Sequence, residues 1–500
     1  MLHKIINLTV RDVRFPTSLE QHGSDAMHSD PDYSAAYVVL DTDCGLKGFG
    51  LTFTLGKGTE IVVCAVKALA GLVVGKSLQE IVSNFRGFYR LLTSDGQMRW
   101  LGPEKGVIHL ATAAVLNAVW DLWARAEGKP LWKLLVDMVS HRLFRPSIYA
   151  PGSDLEGNMS SRMCQSRIQS GLCRASTSDT SPTCSQRMKL WVRQLYDVQY
   201  TSSTVQEKKS LLSVGSEPAD SSCFSSIFRH TCESAGGQAA ERGSDAEGGL
   251  PGVHHLLCLA RIPRPAAQTD ALKSGWTKFK VKVGADLEDD VRRCRLIRQM
   301  IGPNNTLMID ANQRWDVDEA ISWVSKLAEV KPLWIEEPTS PDDILGHATI
   351  AKALAPLGIG VATGEQCHNR VMFKQLLQAS ALQFVQIDSC RLGSVNENLA
   401  VLLMAHKFQV PVCPHAGGVG LCELVQHLIL FDYICVSANL SNRMCEYVDH
   451  LHEHFANPVV IQDAHYMPPK DPGYSCEMLE SSVKRHQFPE GDVWKLHQNK

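Results

Sequence analysis

The 500-residue chain lacks a strong bias of charge. It carries 50 lysine and arginine residues against 53 aspartate and glutamate residues, which gives a net charge of −3 at pH 7. No long basic run interrupts this balance, so a nucleic-acid-binding surface is not expected. The apolar fraction of 44% and the charged fraction of 21% are ordinary for a soluble globular protein. The length allows two or three domains.

Long apolar runs are also scarce. We predict no membrane span, because a span requires roughly 18 consecutive apolar residues and no stretch is expected to reach that length. The start of the chain has a strand-like pattern, without a secretory core or a clear presequence. The 16 cysteines are scattered and lack paired spacings such as C-x₂-C, so a structural zinc site is disfavoured. Reduced thiols in an intracellular compartment are the favoured interpretation.

Residues 1–138 are predicted to form a small α+β domain. Strand-like segments at residues 4–15 and 33–54 contain turn formers, which is typical of an antiparallel sheet. Apolar residues then recur at helical spacing over residues 60–138. A polar stretch at residues 22–34, HGSDAMHSDPDYS, joins the first strands and is interpreted as a surface linker on residue chemistry alone.

Residues 139–272 have a different composition. The segment is rich in serine, and no apolar periodicity runs through it. We predict that it is disordered or poorly matched to the surrounding fold. Its one apolar candidate for a strand is VHHLLCLARI at residues 253–262.

Residues 273–440 alternate between strand and helix patterns, and most apolar strands end in a polar residue. The interval between these residues is close to one βα unit of a parallel barrel, roughly 25–30 residues. The strand-end residues are Asp310, Glu336, Glu365, Asp388 and His415. Residues 433–439, YICVSAN, are predicted to be the last strand of a TIM-type barrel. Residues 441–500 are expected to return to the first domain.

Three of the strand-end acids predict a metal site. Asp310, Glu336 and Glu365 would converge on one rim, where three carboxylates repel one another unless a cation lies among them. Hard oxygen ligands of this kind suit Mg²⁺. The alternative is that each acid merely caps the helix that follows its strand.

Four further residues could move protons at the same rim. Lys280 and Lys282 are two residues apart and share one face of a strand, which points either to solvent or to the metal. If they point inward, each lysine disfavours charging the other, and so would the metal, which makes a neutral lysine accessible near pH 7. His415 is a candidate acid or base, and Asp388 could hold its imidazole in one tautomer. Alternatively, His415 is a turn residue. A metal ion, a lysine base and a histidine acid suit removal of the proton alpha to a carboxylate.

Six motifs resemble the mandelate racemase branch of the enolase superfamily, and within it the L-fuconate dehydratase group: KVK at 280–282, MIDAN at Asp310, WIEEPT at Glu336, TGEQCHNR at Glu365, QIDSCRLGS at Asp388 and CPHAGGVG at His415. The resemblance covers about residues 1–138 and 271–500. It implies an α/β fold, a modified (β/α)7β TIM barrel with an N-terminal α+β capping domain. The first barrel strand is in doubt, because residues 139–270 do not resemble the family.

The resemblance implies roles for individual residues. Asp310, Glu336 and Glu365 would bind Mg²⁺. Lys282 would remove the alpha proton, and His415, oriented by Asp388, would protonate the departing beta-hydroxyl. Residues from the capping loop and the strand ends would contact the substrate: Gly23, Ser24, Asp25, Tyr33, Lys280, Glu365, His415, Ala416, Gly417 and Glu446.

The sequence therefore predicts a Mg²⁺-dependent lyase that dehydrates an acid sugar, with L-fuconate yielding 2-keto-3-deoxy-L-fuconate. A non-catalytic isoform that binds or regulates is the alternative, because the first barrel strand is replaced. A racemase or epimerase is a third interpretation. The expected partners are a small-molecule acid sugar and a second copy of the chain, with no nucleic acid and no membrane. The resemblance implies a mitochondrial location, and the cytoplasm is the alternative.

Overall fold

The computed structural model describes residues 3–20, 22–144, 249–257 and 271–498. In the N-terminal domain, three antiparallel strands lie in the order β1-β2-β3. Their bounds are β1 Ile5–Arg14, β2 Ser34–Thr42 and β3 Lys47–Thr54. Six helices follow: α1 Thr59–Leu69, α2 Leu78–Ser83, α3 Phe85–Thr93, α4 Gly96–Leu101, α5 Gly106–Ala126 and α6 Leu131–Phe144.

Helix α5 is the core of this domain. A Cβ atom on Gly50 of β3 would lie 2.3 Å from the backbone nitrogen of Ala118, so glycine is required where strand and helix approach closely. Sequence analysis missed one property of α5: its 21 residues are long and apolar enough to cross a membrane. Because 94% of the apolar window is buried inside the protein, α5 has the environment of a core helix.

The second domain is a parallel barrel. Its strands are β4 Leu250–Leu257, β5 Lys278–Lys282, β6 Thr306–Asp310, β7 Trp334–Glu336, β8 Gly360–Thr363, β9 Phe384–Val385 and β10 Cys445–Tyr447. Its helices are α7 Leu287–Ile301, α8 Val317–Leu327, α9 Ile344–Leu354, α10 Arg370–Gln378, α11 Ser394–Phe408 and α12 Leu421–Phe431.

The barrel closes on itself. Strands β4 to β9 pair in sequence order, and Val385 in β9 forms a parallel bridge with Val412. The next link is a hydrogen bond of 3.1 Å from the backbone N–H of Glu446 to the carbonyl oxygen of Pro414. Strand β10 then pairs with β4, which completes the ring. The predicted fold class is confirmed.

Strand β4 resolves the doubt about the first barrel strand. Residues 250–257 pair in parallel with β5 on one side and with β10 on the other. The expectation that residues 139–272 lack ordered structure is therefore wrong for this stretch, which contains the first half of the apolar candidate. An apolar run can complete a barrel when both neighbouring strands offer their backbone groups. Residues 145–248 and 258–270 lie outside the described residues.

The prediction for the last strand is wrong. Residues 433–437 lie in a π-helical turn, Asp432–Ser437, that continues α12, and the closing strand is β10. The barrel therefore extends beyond residue 440, the predicted boundary. The C-terminal segment contains β11 Ile461–Gln462, β12 His465–Tyr466, α13 Glu480–His486 and α14 Asp492–Gln498. It returns to the capping domain, where the N–H of Phe488 donates to the carbonyl oxygen of Asp12 at 2.8 Å.

Candidate active site

Neighbouring strands bring one lysine and two acidic residues to one level of the barrel. Lys282 in β5 pairs in register with Asp310 in β6, and Asp310 pairs with Glu336 in β7. Glu365 follows β8 by two residues. One carboxylate oxygen each from Asp310, Glu336 and Glu365 lies within 4.8 Å of the others. The predicted convergence of the three acids is what the structure shows.

The alternative that these acids cap helices is wrong. The helices after the three strands begin with other N-cap residues, namely Asp316, Asp343 and Asn369. Asp310 and Glu336 are fully buried, and the side chain of Glu365 is 10% exposed. Oε2 of Glu365 is buried and makes no hydrogen bond to the described residues. Three buried carboxylates with an unsatisfied oxygen form a suitable ligand set for a hard divalent cation.

Both lysines of β5 point into the barrel. The ammonium group of Lys280 contacts the carboxylates of Glu336 and Glu446 and lies 3.4 Å from Oδ2 of Asp310. Nζ of Lys282 lies 2.5 Å from the same Asp310 oxygen. The four carboxylates of Asp310, Glu336, Glu365 and Glu446 outnumber the two ammonium groups by two. A bound cation would offset that excess of carboxyl groups.

The carboxylates control the protonation of these groups. Burial lowers the pKa of Lys282, but Asp310 and Glu365 outweigh burial and raise it well above its usual value. The pKa of Lys280 is raised in the same way. Lys282 lowers the pKa of Lys280, as predicted, but the closer carboxylates outweigh this effect, so these side chains alone do not favour a neutral lysine near pH 7. Burial raises the pKa of Asp310, yet the two lysines outweigh burial and hold it at about 2.

Glu336 has the opposite balance. Burial raises its pKa, Lys280 lowers it, and the neighbouring carboxylates of Asp310, Glu446 and Glu365 raise it again, to about 8. One site thus holds two carboxyl groups whose pKa values are pushed apart. Divergent pKa values in adjacent carboxyl groups are typical of catalytic or metal-binding centres.

His415 and Asp388 form the predicted pair. Nδ1 of His415 lies 2.7 Å from Oδ2 of Asp388, whose other oxygen accepts the backbone N–H groups of Cys390 and Arg391 at 2.6 and 2.7 Å. Nε2 of His415 lies 3.5 Å from Glu365, so this nitrogen faces the carboxylates. Burial lowers the pKa of His415, but Glu365, Glu446 and Asp388 raise it to about 10. The imidazolium is therefore the favoured form at neutral pH.

Glu446 connects this pair to the lysines. Its Oε2 accepts the backbone N–H groups of Ala416 and Gly417 at 2.6 and 2.9 Å, and its other oxygen contacts Lys280. Sequence reasoning placed Glu446 at the site through resemblance alone. It also placed Glu446 after the last strand, whereas the residue lies in the middle of β10.

The capping domain closes the site with the polar stretch at residues 22–34. Asp25 accepts the N–H groups of Met27 and His28 at 2.7 Å each and pairs with Nδ1 of the His28 ring at 2.9 Å. A Cβ atom on Gly23, where φ is +77°, would lie 2.3 Å from the hydroxyl oxygen of Tyr33. Only glycine fits there. The stretch is part of the site, and its interpretation as a surface linker is wrong.

Between loop and barrel lies a cavity of about 590 Å³. Its lining includes many of the predicted residues: Gly23, Ser24, Asp25, Tyr33, Lys282, Glu365, Asp388, His415 and Gly417. The other predicted residues are joined to this lining by ion pairs, backbone hydrogen bonds or membership of the carboxylate triad: Lys280, Asp310, Glu336, Ala416 and Glu446.

Several lining residues were missed by sequence reasoning. They are His22, His28, Phe53, Thr54, Leu55, Leu110, Asn312, Gln366, Cys390, Arg391, Val448, Asp449 and His450. Four of them had a signal, because Asn312, Gln366, Cys390 and Arg391 follow the predicted strand-end acids within the same motifs. The apolar residues from the capping domain had none, since their approach to the barrel depends on how the two domains pack.

The fold and the site together define a capped parallel barrel with a buried carboxylate triad suited to a metal. Residues 7–136 match the mandelate racemase / muconate lactonizing enzyme N-terminal domain, and residues 264–482 match the enolase C-terminal domain-like family. The chain belongs to the enolase superfamily, in the mandelate racemase / muconate lactonizing enzyme branch that its motifs indicated.

Individual relatives extend over nearly the whole chain. Mitochondrial enolase superfamily member 1 of Bos taurus is 61% identical over 499 residues, which cover 99% of this chain and 98% of that protein. L-galactonate dehydratase of Hypocrea jecorina is 42% identical over 482 residues, covering 96% of this chain and 93% of that protein.

Solved structures agree with this assignment. The crystal structure of human mitochondrial enolase superfamily member 1 matches with a TM-score of 0.82 and 59% identity, covering 100% of this chain and 99% of that one. A racemase from Streptomyces coelicolor A3(2) with bound magnesium matches with a TM-score of 0.64 and 22% identity, covering 97% of this chain and 99% of that one. The second likeness concerns the fold alone.

Proposed function

We propose that the protein is a Mg²⁺-dependent hydro-lyase that dehydrates an acid sugar, with L-fuconate as its substrate. One observation carries the proposal: Lys282 and His415 line the same cavity as Glu365, one of the three carboxylates suited to the metal. A base and an acid in one cavity are the groups needed to remove an alpha proton and to release a beta-hydroxyl. Acid-sugar dehydratases among the relatives support this reaction class.

Each step can be assigned to side chains of this chain. Nζ of Lys282, in its neutral form, takes the proton from the carbon alpha to the substrate carboxylate. Nε2 of His415, in its imidazolium form, gives a proton to the beta-hydroxyl, which leaves as water. The resulting enol tautomerises to the 2-keto-3-deoxy acid. Asp388 holds the imidazole through Nδ1, so that Nε2 faces the substrate.

Asp310, Glu336 and Glu365 would hold the metal. When bound, Mg²⁺ would supply positive charge beside the substrate carboxylate as the alpha proton leaves. The same charge would offset the carboxylates that raise the pKa of Lys282, which favours the neutral base. The magnesium in the S. coelicolor racemase structure supports this choice of ion.

The non-catalytic alternative depended on a missing first strand. With β4 paired on both sides, that argument has no support, and the enzyme is preferred. A mitochondrial location is proposed from the names of the relatives. It is tested by fractionating cells that express the full chain and probing the mitochondrial fraction.

The decisive experiment incubates the purified protein with L-fuconate and Mg²⁺ and measures the 2-keto-3-deoxy acid. We expect product with the wild-type chain and none with Lys282→Ala. Lys352→Ala, which changes an exposed lysine on α9, is the matched control and should be as active as wild type. Alpha-proton exchange with D₂O without a keto product would favour a racemase or epimerase instead.

A further inference from the structure

The cavity contains a permanent cation that the proposed reaction does not use. In the described part of the chain, the lysine and arginine residues that line the cavity are Lys282 and Arg391. Lys282 is assigned to proton removal. Arg391 lies three residues after Asp388, in the turn that follows β9.

Arg391 is held in place by the two motifs that carry the site. Its backbone N–H donates to Oδ1 of Asp388 at 2.7 Å, and its Nε donates to the carbonyl oxygen of Glu365 at 3.2 Å. The backbone contact fixes the start of the side chain, and the Nε contact fixes the guanidinium group. An arginine anchored at both ends loses little conformational freedom when it binds a ligand.

The terminal nitrogens of this guanidinium remain available. A guanidinium has five N–H donors, of which the Nε contact uses one. Within residues 3–20, 22–144, 249–257 and 271–498, Nη1 and Nη2 of Arg391 form no hydrogen bond or ion pair. Up to four donors are therefore left on a residue that lines the cavity. Hydroxyl oxygens have two acceptor lone pairs each, so hydroxyl groups on neighbouring carbons can accept from these donors.

The rest of the lining indicates the charge of the ligand. Asp449 also lines the cavity and forms no ion pair with the described residues, so a second carboxylate on the substrate would meet its repulsion, whereas Asp25 is paired with His28. Several walls are apolar, including Phe53, Leu55 and Leu110, and these offer no hydrogen bonds. A neutral polyhydroxy chain attached to a single carboxylate suits this lining better than a diacid.

We propose that Arg391 determines chain-length specificity by donating from its terminal nitrogens to the hydroxyl groups beyond the reacting carbons. This inference rests on the proposed dehydration of an acid sugar and specifies its substrate class: monoacids with five or six carbons and a hydroxylated tail. The reacting carbons themselves are served by Lys282, His415 and the metal ligands. A short acid that lacks the tail gains nothing from Arg391.

The test compares L-fuconate with the four-carbon acid of the same configuration at its second and third carbons. Arg391→Met, which keeps length but removes the donors, should lower kcat/KM for L-fuconate by about 10- to 100-fold, mostly through KM. The same substitution should change kcat/KM for the four-carbon acid very little. Arg391→Lys keeps the charge but loses the planar arrangement of donors, so its kcat/KM for L-fuconate should lie between those of wild type and Arg391→Met. Arg295→Met, an exposed arginine on α7, is the matched control.

Equal losses on both acids would show that Arg391 only positions Glu365 or Asp388, and would overturn the inference. Unchanged kcat/KM for L-fuconate would overturn it as well. If the wild-type chain produces no keto acid, the proposed function fails, and binding decides the inference separately. In that case L-fuconate with Mg²⁺ should raise the Tm of wild type more than that of Arg391→Met. An equal shift in both proteins, or no shift in either, would reject the role of Arg391.

Discussion

Nη2 of Arg293 donates a hydrogen bond of 3.0 Å to the carbonyl oxygen of Lys282. Arg293 is 2% exposed and pairs with Asp290, which is 1% exposed. Oδ2 of Asp290 in turn accepts the backbone N–H of Gly284 at 2.6 Å. A buried ion pair on α7 therefore holds the backbone on both sides of the end of β5, where the proposed base lies. The Arg293–Asp290 pair lies outside the barrel, and neither residue lines the cavity.

Removing Arg293 should destabilise the protein and slow its chemistry. Arg293→Met leaves Asp290 buried without its partner, which costs about 3–5 kcal/mol in the free energy of unfolding. Lys282 would also lose an anchor of its backbone, so kcat should fall in the folded fraction. Urea unfolding and single-turnover rates measure the two effects. Arg292→Met, the exposed neighbour, is the control and should stay within about 0.5 kcal/mol of wild type. Equal small effects in both variants would contradict this role.

Lys282 and His415 should fail in different ways. His415→Asn is expected to retain exchange of the substrate's alpha proton with D₂O while forming little keto acid, because only the leaving hydroxyl has lost its acid. Lys282→Ala should lose exchange as well as product. Proton NMR in D₂O reports both quantities in one sample. The reverse pattern would exchange the two roles, and normal exchange in both variants would remove both residues from the reaction.

Magnesium should stabilise the folded protein. An ion that binds only the native state adds about 2.7 kcal/mol when its concentration is 100 times Kd. We therefore expect Mg²⁺ to raise the Tm of wild type. Glu336→Gln should lose most of that gain, whereas Glu319→Gln, which changes an exposed acid on α8, should keep it. A melting curve that Mg²⁺ leaves unchanged in wild type would refute the metal site.

Acid should destabilise the fold through His427. The backbone N–H of Trp132 donates to Nδ1 of this ring at 3.2 Å, so Nε2 carries the proton and donates to the Ser475 hydroxyl at 3.0 Å. Burial lowers the pKa of His427 to about 3, from an ordinary value of 6.5. Below pH 6.5 the unfolded chain binds a proton that the folded chain excludes, so stability falls as pH drops from 6.5 towards 3.

At pH 5 the titration of His427 lowers the free energy of unfolding by about 2 kcal/mol relative to neutral pH. Urea unfolding at pH 7 and pH 5 measures it. His427→Gln, which has no titrating ring, should show a smaller difference between the two pH values, whatever its absolute stability. An unchanged pH dependence in this variant would show that other groups cause the acid sensitivity.

The sequence predicted those parts of the molecule that depend on local pattern. Asp310 and Glu336 end β6 and β7, whereas Asp388 lies three residues after β9 and His415 lies three residues after the bridge at Val412. Parallel segments that share one rim bring such residues together. Strand β4 could not be predicted with the same rules, because its short apolar run is ordered by neighbours more than 20 residues away in the chain. Residues 433–439 show the opposite error, since their apolar residues continue a buried helix instead of forming a strand.

Protonation at the site was also beyond sequence reasoning. The distance between Lys280 and Lys282 follows from strand geometry, but their carboxylate partners come from β6, β7 and β10. Which charges dominate a pKa depends on distances between strands. The capping residues that face the barrel, such as Phe53 and Leu110, are set by domain packing in the same way.

The register of Lys282, Asp310 and Glu336 across three neighbouring strands has a consequence for how this protein can change during evolution. Side chains alternate between the two faces of a strand, so one inserted or deleted residue within β5, β6 or β7 turns the reactive side chain away from the barrel interior. Loops between these strands can lengthen freely without moving the three groups. Descendants of this chain should therefore differ by insertions in the connections and almost never within these strands.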